Sequence, residues 1–193
     1  MPSPRLTDSA QAWIAETLRP GDAAVDATAG RGWDTAFLAR CVGPDGAVLA
    51  FDTQAEALID TRARLEREEL DGQVVLVHAG HETFDAHSHV LGDRPLRAAM
   101  FNLGYLPGTA HDVTTTQDTT LAAIRAILAA LAPGGRLAVM AYRGHPGGME
   151  ESAAVASLLA TLDPGIWTAS SEASGSPQRP GPVLHRIERK GTR

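Results

Sequence analysis

Three short stretches gather the residues whose types and spacing can do chemistry. The first is Val25-Asp26-Ala27-Thr28-Ala29-Gly30-Arg31-Gly32-Trp33-Asp34-Thr35, an apolar run that passes through small residues into a helical pattern. Small side chains there let a ligand approach the backbone, and a helix start offers N–H groups. Asp26 sits at the end of the apolar run, where its charge repels a pyrophosphate and favours the ammonium of an amino-acid-bearing cofactor. Thr35 stands where the G-x-G-x-x-G fingerprint needs its third glycine, so dinucleotide binding is disfavoured. A Walker loop is excluded, because Lys190 is the only lysine.

Asp52, followed by Thr53 and Gln54, ends the next apolar run. A carboxylate there can accept hydrogen bonds from both hydroxyls of a ribose, and it can equally cap the helix that starts near Gln54. His81 and Glu82 open the loop after the third apolar run, where they can line the same pocket. The irregular spacing of His81, His87 and His89 matches no zinc pattern, and a solvated loop is the competing role.

The second stretch is Phe101-Asn102-Leu103-Gly104-Tyr105-Leu106-Pro107-Gly108. The Asn102 side-chain carbonyl and the backbone carbonyl of Leu103 can accept hydrogen bonds from an amine, aiming its lone pair at an electrophile. Tyr105 can stack on a planar base. The competing roles are turn former for Asn102 and packing for Tyr105. In the third stretch, Tyr142-Arg143-Gly144-His145-Pro146-Gly147-Gly148, His145 is a candidate proton acceptor or a loop hydrogen-bonder. Arg143 suits a phosphate better than catalysis.

These stretches need strands to present them. Apolar patterning predicts strands over 23–27, 47–51, 74–77, 96–103 and 137–142, with weak ones near 166–169 and 183–187. Helices are expected from Thr7 or Asp8 through Leu18, over 34–42, 54–70 and 118–131, and from 148 to about 160. Residues 80–94 read as loop with one short helix, and 170–182, rich in Ser, Gly and Pro, as a mobile hairpin between the last two strands. Strands alternating with helices imply a parallel α/β sheet whose ligands sit at the C-terminal strand ends, in a single domain over 1–193. Within it, 1–20 hold the first helix and 165–190 the final hairpin.

Composition narrows the chemistry further. Seventeen Lys plus Arg against 23 Asp plus Glu give a net charge of −6, so any RNA contact must be local. The lone Cys41 excludes intrachain disulfides and thiolate clusters, and with them radical chemistry on an iron–sulfur cluster; it points to a reducing cytoplasm. Cys41 lies at the far end of its helix from the first loop, which disfavours cysteine-nucleophile attack on a pyrimidine. No apolar run reaches the length of a membrane span. No metal site or oligomeric state can be read.

The two acidic strand ends, the Pro133-Gly134-Gly135-Arg136-Leu137 entry to the fifth strand and the terminal hairpin resemble a class I S-adenosylmethionine-dependent methyltransferase over nearly the whole chain. That resemblance implies a Rossmann-like, seven-stranded, mostly parallel sheet with helices on both faces and an antiparallel last strand. The Asn102-x-x-Tyr105 spacing is similar to the Asn-Pro-Pro-Tyr loop of N-methyltransferases, with Leu103 and Gly104 in place of the prolines. The 101–108 stretch, the first loop and Gly144-His145-Pro146 together resemble a narrower group named rRNA methylases, whose MnmM-type members methylate 5-aminomethyl-2-thiouridine at the tRNA wobble position.

The resemblance implies that S-adenosylmethionine is bound by Asp26, Ala27, Thr28, Ala29, Gly30, Gly32, Trp33, Asp34, Thr35, Asp52, Thr53, Gln54, His81, Glu82, Asn102, Leu103 and Gly104. Catalytic roles fall to Asn102, Tyr105 and His145, and substrate contacts to Leu106, Pro107, Tyr142, Arg143 and His145, with the tRNA anticodon region as partner. The target amine must be neutral to attack, which calls for a pocket that disfavours the ammonium or for His145 as proton acceptor. Two other readings stay open: methylation of a small amine or hydroxylated metabolite, and a non-catalytic cofactor-binding module.

Overall fold

The computed structural model describes residues 5–104, 115–176 and 179–191. Seven strands form one sheet: β1 (Ala23–Asp26), β2 (Ala47–Asp52), β3 (Val74–His78), β4 (Leu96–Leu103), β5 (Arg136–Ala141), β6 (Trp167–Ser176) and β7 (Arg179–Arg189). Their order is β3-β2-β1-β4-β5-β7-β6. Every neighbouring pair up to β5 is parallel, and β7 runs antiparallel to both β5 and β6. The helices are α1 (Leu6–Ala15), α2 (Trp33–Val42), α3 (Ala55–Arg67), α4 (Phe84–His87), α5 (Gln117–Ala130) and α6 (Gly148–Ala160). This is the Rossmann-like class I methyltransferase architecture that the resemblance implied.

Alternation along the central strands builds two apolar layers. Val25, Leu49, Phe51, Phe101 and Val139 face one way and pack with Ile124 and Ile127 of α5 and Val155 of α6. Ala24, Val48, Ala98, Met100 and Met140 face the other and pack with Ile14 of α1 and Leu38 of α2. β1 is buried on both faces, and its alanines leave room for helices to lie close.

Two expectations need correction. The 80–94 stretch is mostly short helical turns: α4 is flanked by 3₁₀ turns at His81–Thr83 and Ser88–Leu91. The terminal hairpin is present, but its two strands run well beyond the short ones expected near 166–169 and 183–187, because β6 and β7 pair from Trp167↔Arg189 to Ser176↔Arg179. Pro180 and Pro182 of this hairpin lie beyond the β5 pairing, which spans Val183 to Glu188. There β7 has a ladder partner on one side only, so a missing N–H costs little.

His185 of β7 is buried, and its Nδ1 pairs with the Ser171 hydroxyl at 2.8 Å. Burial, then the nearby Arg143 charge, lowers its pKa from 6.5 to about 4. The folded protein therefore binds fewer protons than the unfolded chain between those values, so this residue destabilises the fold as pH falls from 6.5 toward 4. In thermal melts, His185→Asn should lose less stability than the unsubstituted protein between pH 7 and pH 5, by about 1 kcal/mol or roughly 2–4 °C. Parallel melting curves would show that the imidazole is not held neutral.

Candidate active site

The chain builds outward from β1 through β2 and β3, then returns to lay β4 on the other side of β1. Helices leave the β1 and β4 ends toward opposite faces, which opens a crevice at their C-terminal ends. The Thr28 hydroxyl spans its floor, accepting the Asn102 N–H at 2.7 Å. Around this point lies a cavity of about 1110 Å³, lined among the described residues by Ala27 to Arg31, Trp33, Asp34, Asp52 to Gln54, Ala79 to Glu82, Asn102, Gly104, Tyr142, Gly144 and His145. Arg5, Thr7, Asp8 and Gln11 of the N-terminal segment and Thr115, Thr116 and Thr119 complete the wall.

The loop after β1 is held by its own hydrogen bonds. Asp26 is fully buried, and its carboxylate accepts the Thr28 N–H at 3.1 Å and the Thr35 hydroxyl at 2.6 Å. Burial and the neighbouring Asp34 charge raise its pKa to about 7. The N–H groups of Ala27, Ala29, Gly30 and Gly32 go to Met100 O, Phe51 O, Asp52 Oδ2 and Ala29 O. These four N–H groups of the turn are therefore spent within the protein. An anion finds no cradle among these donors, which agrees with the exclusion of a pyrophosphate.

Gly32 adopts φ +74°, and a Cβ there would lie 3.0 Å from Thr61, so the turn seats against α3 only as glycine. Asp26, Gly32 and Thr35 shape the turn from beneath and are absent from the cavity wall. Asp52 faces the cavity while accepting the Gly30 N–H at 2.8 Å and the Gln54 N–H at 2.9 Å. It is not a helix cap, since Gln54 is itself the residue at the α3 start. Each carboxylate oxygen retains a lone pair for a hydroxyl donor. The Thr53 carbonyl pairs with His78 Nε2 at 3.0 Å.

At the β4 end, Asn102 Nδ2 donates to Asp34 Oδ2 at 2.6 Å, and Gln11 Nε2 donates to Asp34 Oδ1 at 2.6 Å. A carboxylate only accepts, so Asp34 fixes which way the Asn102 amide points and leaves its carbonyl oxygen as the acceptor. Leu103 departs from expectation. Its side chain is wholly buried, and its carbonyl accepts the Tyr142 N–H at 3.1 Å, because the β4–β5 ladder continues to the strand end. Leu103 is therefore part of the core and does not line the cavity.

Gly104 and Thr115 exchange hydrogen bonds: Gly104 N to Thr115 Oγ1 at 3.1 Å, and Thr115 N to Gly104 O at 3.2 Å. The buried Glu151 accepts the Thr115 and Thr120 hydroxyls at 2.7 and 2.6 Å. Tyr105, Leu106 and Pro107 lie outside the described residues.

His81 is 6% exposed, its Nδ1 lies 3.0 Å from the Ala27 carbonyl, and its buried Nε2 has no hydrogen-bond partner among the described residues. Burial holds its pKa below 6.5. The neutral ring donates through Nδ1, which leaves Nε2 as a buried acceptor behind the cavity wall. His145 Nδ1 lies 3.0 Å from the Pro146 carbonyl, and the ring is wedged so that a Cβ on Gly104 would sit 3.5 Å from its Nε2, one on Gly148 2.7 Å away. Tyr142 is 40% exposed, and burial, then the Asp34 charge, raises its hydroxyl pKa.

Arg143 does not reach the cavity. Its Nε donates to Gly181 O at 2.8 Å, which ties the strand-end loop to the terminal hairpin. The phosphate-contact role is thus overturned. So is the pocket expected to disfavour an ammonium: Asp8, Asp34, Asp52 and Glu82 all line the wall. Carboxylates that close stabilise cations. Gln11 and Glu151 escaped the sequence reading. Gln11 meets Asp34 only through folding, whereas Glu151, four residues before Val155 on the buried face of α6, carried a signal: a charge at a core position.

The family model described as "Putative rRNA methylase" matches residues 48–188. A chloroplastic tRNA (mnm(5)s(2)U34)-methyltransferase of Arabidopsis thaliana is 31% identical over 84% of this chain, which spans 62% of that protein's length. A Clostridium thermocellum structure carrying the same description as the family is 33% identical, with a TM-score of 0.89, covering 98% of this chain and 100% of that one. A Streptococcus mutans methyltransferase solved in complex with SAH is 37% identical, with a TM-score of 0.86, covering 97% and 99%. Since the family match takes in the β2-to-β7 framework and the Asn102 and His145 strand ends, the chain belongs to the rRNA methylase family of S-adenosylmethionine-dependent methyltransferases.

Proposed function

We propose that this protein, a single methyltransferase domain over residues 1–193, transfers a methyl group to the aminomethyl nitrogen of a tRNA wobble uridine, forming 5-methylaminomethyl-2-thiouridine from 5-aminomethyl-2-thiouridine. The observation that carries the reading is the Asn102 amide, locked by Asp34 with its carbonyl as the open acceptor at the edge of the cavity. The likeness to the Arabidopsis tRNA methyltransferase over most of the chain supports the wobble uridine as target. A volume of about 1110 Å³ exceeds the roughly 300–1,000 Å³ of a single small-ligand pocket, leaving room for cofactor and nucleoside together. The lone Cys41 supports a reducing compartment such as the cytoplasm.

The residues fit the cofactor. Asp52 retains acceptor capacity for ribose hydroxyls, and the carboxylate-rich wall suits a cationic methionine end. When bound, S-adenosylmethionine supplies an electrophilic sulfonium methyl. Asn102 accepts a hydrogen bond from the target amine and aligns its lone pair, and Tyr142 packs beside it. Asp34 and its neighbours hold the incoming amine as an ammonium until a proton leaves. Among the cavity-lining groups, His145 is assigned as the acceptor of that proton.

The deciding experiment incubates the purified protein with labelled cofactor and tRNA from cells lacking the wobble methyl. Label should appear on the wobble nucleoside. Transfer to metabolite extracts and none to that tRNA would favour a small-molecule methyltransferase. Asn102→Ala should lower kcat at least about 100-fold while SAH affinity by calorimetry stays within about twofold; an unchanged rate removes the acceptor role. Asp52→Ala should weaken SAH binding by about tenfold, the worth of one charge-assisted hydrogen bond. Equal affinities would move the ribose elsewhere.

A further inference from the structure

Trp33 is the most conspicuous apolar group at the mouth of the cavity. It is 64% exposed, although it opens α2 immediately after the glycine turn and lines the wall. An exposed indole usually lies along its own surface to shed contact with water. This one is held from one side only. The Arg64 guanidinium sits 3.4 Å from its ring centroid, and Arg64 is itself anchored, Nε donating to the Arg31 carbonyl at 2.8 Å and Nη1 reaching Glu68 at 3.4 Å.

The brace fixes the plane of the ring. With a guanidinium on one face and 64% of the residue still exposed, the opposite face is open to a planar partner. Arg5 and Arg31 line the same cavity as the ring, so cations share its wall with the indole. A pre-positioned aromatic face with cations alongside matches how proteins hold single-stranded nucleic acid: the ring stacks a base and the cations follow the backbone. It also answers how a chain of net charge −6 engages a polyanion, since the contact is local.

We infer that Trp33, backed by Arg64, is a stacking platform for an unpaired RNA base next to the methylated nucleotide. The sequence reading had placed Trp33 among the cofactor contacts; its exposure at the mouth favours the RNA instead. The inference rests on the tRNA reading of the same site, so its test reads binding apart from turnover. Trp13 and Trp167 are the other tryptophans. In a Trp13→Phe/Trp167→Phe background, titration with the same undermethylated tRNA should quench Trp33 emission.

Trp33→Ala should raise the KM for tRNA roughly tenfold, with kcat and SAH affinity nearly unchanged, and Trp33→Phe should recover part of the loss. Absence of quenching on tRNA binding, or a fall in SAH affinity matching the rise in KM, overturns the platform. Quenching in a protein that methylates no tRNA would sink the acceptor assignment and leave the platform supported.

Discussion

A carboxylate without water around it, Asp26, takes the Thr28 N–H and the Thr35 hydroxyl, and so ties the end of β1 to the first turn of α2. Burying a charged group is costly, and here the cost shows as a pKa raised to about 7. The bonds it makes propagate. Thr28, placed by Asp26, receives the Asn102 N–H across the strand gap; Asn102 gives its amide hydrogen to Asp34; and Asp34 receives Gln11 from the N-terminal helix. One buried acid thus sets the positions of a loop, a strand end and a helix around a single crevice.

That arrangement divides labour between floor and wall. Asp26, Gly32, Thr35 and Leu103 give shape and no contact, because their polar groups are spent on the framework and their surfaces are buried. Asp34, Asp52 and Asn102 line the cavity and keep acceptor capacity there. The wall is acidic where a cationic methyl donor would rest and carries arginines at the mouth, near the exposed tryptophan.

The strands β1 to β5 were readable because alternation and full burial leave a strong pattern of apolar residues, and α5 because its apolar stripe repeats at helical spacing. The terminal hairpin was less readable. Its β6 strand, Trp167–Ser176, is mostly exposed and polar, so backbone pairing with β7, not a buried face, defines it. Arg143 looked like a phosphate ligand because it neighbours His145, yet a long side chain can turn either way, and it turned to the Gly181 carbonyl.

Local chemistry along the chain therefore set the order of elements, the acid at each strand end and the glycine turn, since these depend on neighbours a few residues apart. The partners of those groups came from folding alone. Gln11 and Asp34 are 23 residues apart and Asn102 and Asp34 are 68 apart, and no periodic pattern encodes a hydrogen bond across such distances. Which carbonyl faces the cavity and which is consumed by the ladder follows from strand register, a property of pairs of strands that neither strand carries by itself.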